Sequence, residues 1–275
     1  MIPFTEFVPI LWEFSMDFVV QGKVYQNDTC ALVKNLLDLD FCDRVIISCW
    51  ETCDIDFPIS GKVEVVHSKP PEHAGDANRN LQIVSSRSGI KASSSEICAK
   101  LRSDQIISVE SLKMMNDFYA ENRQACAEGQ SGAVCVAGIW KPYPFHPSDF
   151  IFWGPREELV RIFDIPLNDE PHTVRGYGEY SSTSRTESYI GVHYAAKFDK
   201  SALFFSQNIS EFLPDSSPRR AEAMKVSDEL TPKIFKPFPR IEFSWHKQRL
   251  SSYHYHITEP LGEYWNEEAK WKNRR

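Results

Sequence analysis

The stretch ICAKLRSDQII, residues 97–107, begins as a buried strand and ends in charge. A strand alternates faces at every residue, so Lys100, Arg102 and Asp104 share one side while Ala99, Leu101 and Ser103 share the other. Two cations and a carboxylate on one face of an apolar strand are costly to bury without partners. At the carboxyl end of a strand in an α/β sheet they would lie where such folds bind ligands. A Lys and an Arg suit a pyrophosphate, and an Asp beside them suits a divalent ion. Mg²⁺ takes one or two carboxylates and completes its shell with phosphates and water. The plainer alternative is an internal ion pair between Arg102 and Asp104.

Working outward, residues 17–21 (DFVVQ), 45–49 (VIISC) and 63–67 (VEVVH) read as further buried strands rich in Val and Ile. Leu32, Val33, Leu36 and Leu37 recur at helical spacing between the first two, with Asn27, Asp28 or Thr29 as N-cap. Asp76 stands where it would cap a helix running through Leu81 and Val84 to about residue 92. Strand, helix, strand, strand, helix, strand is an α/β order, and it predicts a mostly parallel sheet with helices on both faces. Downstream, residues 108–121 place Leu112, Met115 and Tyr119 on one helical stripe. VCVAGI (134–139) and DFIFW (149–153) read as strands around the turn KPYPFHPS. Pro155 would open a helix to Asp164, and Ser184 would cap another over 185–198. With Pro214, Pro218, Pro232, Pro237 and Pro239, residues 206–240 read as largely loop. No linker divides the chain, so one domain is expected over residues 1–275.

Other residues could share the cleft. Gln21-Gly22 ends the first strand, where the amide of Gln21 can meet a base or ribose. There is no GxGxxG or Walker lysine pattern. Arg79, Asn80 and Gln82 begin the second helix and can face the same cleft, or simply be solvated. Asp149, next to His146 and Ser148 and ahead of the aromatics Phe150, Phe152 and Trp153, reads as a general base or sugar ligand, or else as a turn cap. Glu187 is a second candidate base, although Ser184-x-x-Glu187 is also a capping box. His254 and His256 share a strand face and could complete a metal site with Asp104, or merely decorate that strand.

Composition bounds the remainder. At 42% hydrophobic and 25% charged the chain is ordinary globular material rather than a disordered one. Its net charge of −7 argues against a general nucleic-acid binder. The excess is local: residues 1–60 carry ten acids and three bases, whereas 219–275 carry twelve bases and eight acids. That basic end leaves room for a peripheral contact with an anionic membrane face. The apolar opening, interrupted by Glu6, Glu13 and Asp17, fits neither a signal peptide nor a spanning helix. Seven cysteines (Cys30, Cys42, Cys49, Cys53, Cys98, Cys126, Cys135) lie mostly in apolar runs, as reduced thiols of a cytosolic protein would.

Taken together, FVVQG, IISCWE, LRSDQII and the run from HPSDFIFWG to FDIPL resemble the WavE-type lipopolysaccharide synthesis proteins over residues 17–198. The resemblance implies a GT-A-like glycosyltransferase fold, with a nucleotide-sugar-binding half at 17–107 and an acceptor half at 108–275. It implies transfer from a nucleotide-sugar to a glycan or lipid-linked acceptor in surface-polysaccharide assembly, in the cytoplasm. Gln21, Gly22, Arg79, Asn80, Gln82, Lys100, Arg102 and Asp104 would then contact the donor, with Mg²⁺ or Mn²⁺ on Asp104. The family's second helix carries Arg and Gln together, whereas here Leu81 separates Gln82 from Asn80 and Arg79. The acidic motif reads Arg102-Ser103-Asp104, with a single acid, which leaves open whether a metal is needed. A binder of nucleotide-sugar or glycan without turnover, and a metal-dependent hydrolase or nucleotidyltransferase of nucleotide-sugars, are the alternatives.

Overall fold

A computed structural model describes residues 15–58, 60–75, 78–127, 134–139, 143–167, 186–202, 218–239, 241–245 and 254–257, the last two segments by backbone only. Strands β1 (Met16–Gln21), β2 (Cys42–Trp50), β3 (Val63–Ser68) and β4 (Ile97–Arg102) are the four apolar runs anticipated above. They alternate with helices α1 (Gln26–Leu37) and α2 (Arg79–Ala92). After the short β5 (Gln105–Ile107) come α3 (Val109–Ala127), β6 (Val134–Val136), β7 (Ile151–Pro155) and α4 (Arg156–Phe163). Then follow α5 (Thr186–Ala195), α6 (Pro218–Ile234), β8 (Phe235–Pro237), β9 (Ile241–Trp245) and β10 (His254–Ile257).

Seven strands form one sheet in the order β3-β2-β1-β4-β7-β6-β8. It is parallel except where β7 runs against both β4 and β6, which makes it the mostly parallel α/β sheet expected. Because β7 is reversed, the residues just before it stand beside the carboxyl ends of the parallel strands. A second sheet, β10-β9-β5, grows from the segment that follows Asp104.

Alternation along the strands sorts the core into two layers. Phe18, Val20, Val45, Ile47, Ala99, Leu101 and Trp153 pack against Leu32, Val33 and Leu36 of α1 and Leu112, Met115 and Tyr119 of α3. Val19, Ile46, Cys98 and Phe152 pack on the opposite face against α2, α4, α5 and α6, through Ile83, Leu159, Ile190 and Ala223 among others. Helices thus cover both faces, each burying an apolar stripe.

Several local expectations are corrected. Residues 218–234 are a helix, not a loop. Pro218 occupies its first position, where the missing N–H has no helical partner to lose, and Pro232 falls in its last turn. Helix α1 starts at Gln26 with no side-chain cap; instead the Thr29 hydroxyl reaches back and accepts the Tyr25 N–H at 2.9 Å. Pro155 precedes α4 rather than opening it, and Asn78, in left-handed backbone at φ 64°, precedes α2. Asp76 and Ser184 lie outside the described residues. The strand expected over 134–139 ends at Val136. Cys30, Cys42, Cys49, Cys53, Cys98 and Cys135 are free thiols, and burial pushes those of Cys42, Cys49 and Cys98 up to about 12.

Candidate functional site

The end of β4 is tied down by backbone and hydroxyl contacts before any charge enters. Gln21 of β1 lies in register with Arg102 of β4. The Ser103 N–H donates to the Gln21 carbonyl at 2.9 Å, the Ser103 hydroxyl to the Lys23 carbonyl at 2.6 Å, and the Thr29 hydroxyl to the Ser103 carbonyl at 2.9 Å. Gly22 makes the turn out of β1 at φ 121°, and a Cβ there would stand 3.0 Å from the Ser103 hydroxyl. Glycine is the residue that adopts such backbone without strain.

On this base sit the charges. Arg102 grips Asp104 with both prongs of its guanidinium, Nε to Oδ1 at 2.9 Å and Nη2 to Oδ2 at 2.8 Å. Its Nη1 donates to Oδ2 of Asp149 at 2.7 Å. Directly beneath, Lys100 is fully buried, and its ammonium donates to the backbone carbonyl of Asp149 at 2.6 Å. Burial pulls the Lys100 pKa down to about 8, although Asp149 works against the shift. Burial opposes the charge on Arg102 as well, but Asp149 and Asp104 more than compensate and raise its pKa. Asp149 is therefore held at both ends, through its carboxylate by Arg102 and through its main chain by Lys100. Lys100 shares a face with Arg102, as alternation requires, but lies one pleat deeper and does not reach the surface.

Helix α5 closes the other side. The Glu187 carboxylate lies 3.6 Å from Nε2 of His146, in the same turn as Asp149. This turn and α5 touch closely at Gly191, where a Cβ would meet the Phe145 carbonyl oxygen at 1.9 Å. From α6, the Ser227 hydroxyl accepts the N–H of Phe145 at 2.7 Å and fixes the turn from behind.

Not every proposed residue joins this cluster by direct contact. The Gln21 amide donates to the Ser85 hydroxyl of α2 at 2.8 Å. Arg79 and Asn80 are buried, with the Arg79 guanidinium 4.5 Å from the Tyr189 ring centre and the Asn80 amide donating to the His73 carbonyl. Gln82 is half-buried, and its amide nitrogen has no hydrogen-bond partner among the described residues. His193 is a residue that sequence reasoning missed: its ring lies 4.4 Å from that of Tyr189, and burial together with Arg79 lowers its pKa to about 4. Its place one turn beyond Tyr189 on α5 was the only signal available.

The resemblance implied a divalent ion on Asp104. Both oxygens of that carboxylate accept from Arg102, and among the described residues no group of three or more His, Cys, Asp or Glu side chains is arranged to hold a metal. Asp104 as folded is an ion-pair partner, and among the described residues the donors around it do not fit a cation. The side chains of His254 and His256 lie outside the described residues; their strand pairs with β9 on the small sheet.

Comparison with known proteins gives the lineage. The sequence profile described as WavE lipopolysaccharide synthesis matches residues 17–203, well over half of the chain. The chain belongs to this family. No curated protein sequence matches it. Among solved structures, it is similar to S. aureus TarS 1–349 in complex with UDP, at 12% identity and a TM-score of 0.39, over 66% of this chain and 55% of that one. HddC from Yersinia pseudotuberculosis gives 10% identity and a TM-score of 0.36, over 61% of this chain and 87% of that one. The Francisella tularensis 2-C-methyl-D-erythritol 4-phosphate cytidylyltransferase gives 9% and 0.39, over 94% and 99%. Among the described residues, no helix is long and apolar enough to cross a membrane.

Proposed function

We propose that this WavE-family chain is a glycosyltransferase that moves a sugar from a nucleotide-sugar to a lipopolysaccharide or capsule acceptor. The observation that carries the proposal is the buried set Lys100, Arg102, Asp104 and Asp149, gathered where β1 and β4 end and β7 begins. That end of an open α/β sheet is where ligands bind. The pyrophosphate of the donor would lie against the guanidinium of Arg102, with Gln21, Gly22, Arg79, Asn80 and Gln82 toward the nucleotide side.

In the proposed reaction an acceptor hydroxyl oxygen attacks the anomeric carbon. A new carbon–oxygen bond forms as the bond to the phosphate oxygen breaks, and its electron pair leaves with the nucleoside diphosphate. Asp149 takes the acceptor proton. It is preferred to Glu187 because Lys100 and Arg102 hold it from two sides, and a base must be held in reach of its proton. The Glu187–His146 pair stands across the turn, toward the acceptor. The basic stretch 219–275 is proposed to rest on an anionic membrane face carrying lipid-linked acceptors, a contact that flotation with anionic vesicles would detect.

The test is to incubate the chain with a panel of nucleotide-sugars and core-oligosaccharide acceptors, analysing products by mass spectrometry. Acceptor gaining one sugar, with release of nucleoside diphosphate, is the expected result. Release of free sugar would make the protein a hydrolase, and nucleoside monophosphate plus sugar phosphate a pyrophosphate-cleaving enzyme. Failure of every nucleotide-sugar to bind would overturn the proposal altogether.

A further inference from the structure

We propose that Arg102 is the resident cation of this cleft, so that the diphosphate of a nucleotide binds here without a divalent metal. Resting on the nucleotide-sugar reading above, this makes Asp104 a positioning residue that aims the guanidinium. The geometry supports it in three ways. Asp104 presents both oxygens to Arg102 at 2.9 and 2.8 Å, and Asp149 presents one at 2.7 Å. A metal entering at Asp104 would have to break a two-pronged, charge-assisted pair that is largely shielded from water. It would also bring two positive charges next to a guanidinium and a Lys100 ammonium whose charges together already balance those of Asp104 and Asp149.

Exposure points the same way. The Arg102 side chain is 19% exposed and those of Asp104 and Asp149 are 7% each, so the cation is the member of the trio that most faces solvent. A planar guanidinium offers its N–H groups in a fork that matches phosphate oxygens, and it stays charged throughout the working pH range. With Asp104 on its Nε–Nη2 edge and Asp149 on Nη1, it cannot swing away when an anion approaches. A divalent ion recruited from solution has to be bound and dehydrated first, whereas this cation is built into the strand end.

The experiment is isothermal titration of the full chain with UDP, GDP, CDP and ADP, in excess EDTA and in excess MnCl₂. The expected result is that at least one nucleotide binds, with dissociation constants in the two conditions agreeing within about threefold. Arg102→Gln, checked for folding by circular dichroism, should weaken that binding in EDTA by about tenfold or more. Binding that needs MnCl₂, or a folded Arg102→Gln chain that binds as tightly as the parent, would overturn the inference and leave the nucleotide-sugar reading standing. No binding in either condition would overturn both. Titration with MnCl₂ alone gives a second measurement on the unmutated chain: uptake that Asp104→Asn abolishes would return Asp104 to the role of metal ligand.

Discussion

Strand β1 has a buried polar residue near each end of one face, Asp17 near its start and Gln21 at its finish, and the two surroundings differ. Asp17 is fully buried, and its carboxylate accepts from Arg44 at 2.9 Å, from the Ser93 hydroxyl at 2.9 Å, and from the Ser94 and Ser95 N–H groups at 2.8 and 3.2 Å. Burial favours the neutral acid, but Arg44 and these serine donors outweigh it and lower the pKa. One buried acid, a partly exposed cation shared with the exposed Glu64, and the main chain at the end of α2 make a closed joint that folding alone explains. At the other end, next to Gln21, two acids and two cations crowd together, and the deeper cation is pulled down to about 8 by burial. Buried charge beyond what holds the sheet together is the mark of a site that does chemistry.

The largest effect expected is at Asp149. Asp149→Asn keeps the size and the main-chain contact to Lys100 but removes the proposed base, and on the proposed function transfer should fall by about 10²–10⁴-fold. Its thermal midpoint should move far less than its turnover. Asp17→Asn should behave in the opposite way. That change leaves Arg44 with Glu64 but takes the charge from a fully buried group to which Arg44, Ser93, Ser94 and Ser95 donate, and should cost about 3 kcal/mol of stability in urea unfolding, with turnover per folded molecule unchanged. The Asp17 contribution, arising from a lowered pKa, is present above the ordinary carboxylate range and is lost as pH falls through the folded value. The parent should therefore lose stability in acid faster than Asp17→Asn. If Asp17→Asn destroys turnover while remaining folded, the contrast between the two ends fails.

The two ends also differ in how legible they were. The four apolar runs, a strand after HPSD and the shared face of Lys100 and Arg102 follow from alternation and composition, and all are present, whereas the reversed direction of that strand does not follow from either. What alternation does not carry is depth. Lys100 and Arg102 are two residues apart, yet one lies sealed beneath the cleft and the other at its rim, because β7 and its aromatic residues cover β4 as far as Leu101. Nor could sequence show that Arg102 would fold back on Asp104 rather than leave it open, since that depends on where the Asp149 turn lands. The helix at 218–234 was hidden by its prolines: Pro218 sits at a position a helix tolerates, and Pro232 in the last turn costs it one backbone hydrogen bond without ending it earlier. His193 gave no motif at all, being one aromatic-flanked residue on a helix whose neighbours come from α2.

A smaller effect separates support from chemistry within the site. Lys100 titrates at about 8 when folded against 10.5 for an ordinary lysine, so its burial weakens the fold while it is charged. Between those values the unfolded chain binds the extra proton, so the stability of the parent should rise with pH through that window. Lys100→Met should lack the rise, about 3 kcal/mol in size, and be close to neutral near pH 7, because the lost contact to the Asp149 carbonyl offsets the relief. Turnover should nonetheless drop by about tenfold, mostly in kcat, since Asp149 loses its main-chain anchor. An unchanged kcat would show that Arg102 alone holds the base.

The smallest effect tests whether the charged end stops at the cleft or extends down α5. His193 is a neutral imidazole against Tyr189, with a folded pKa of about 4 where burial, Arg79 and Lys197 all oppose its protonation. Its ordinary value is 6.5, so between the two the unfolded chain takes up a proton that the folded chain refuses, and stability should decline as pH falls from 6.5 toward 4. The side chain is only partly buried, so solvent screening should limit the loss to about 1 kcal/mol. His193→Gln retains a polar group without the titration, and its urea midpoint should stay flatter than the parent's across that window. Because Arg79 lies against the same Tyr189 ring, a bound nucleotide that draws on Arg79 should relieve the repulsion and raise the His193 pKa, shrinking the parent's acid limb. A nucleotide that leaves this limb in place, while still binding, would confine the working charges to Lys100, Arg102, Asp104 and Asp149 and make Arg79 part of the frame.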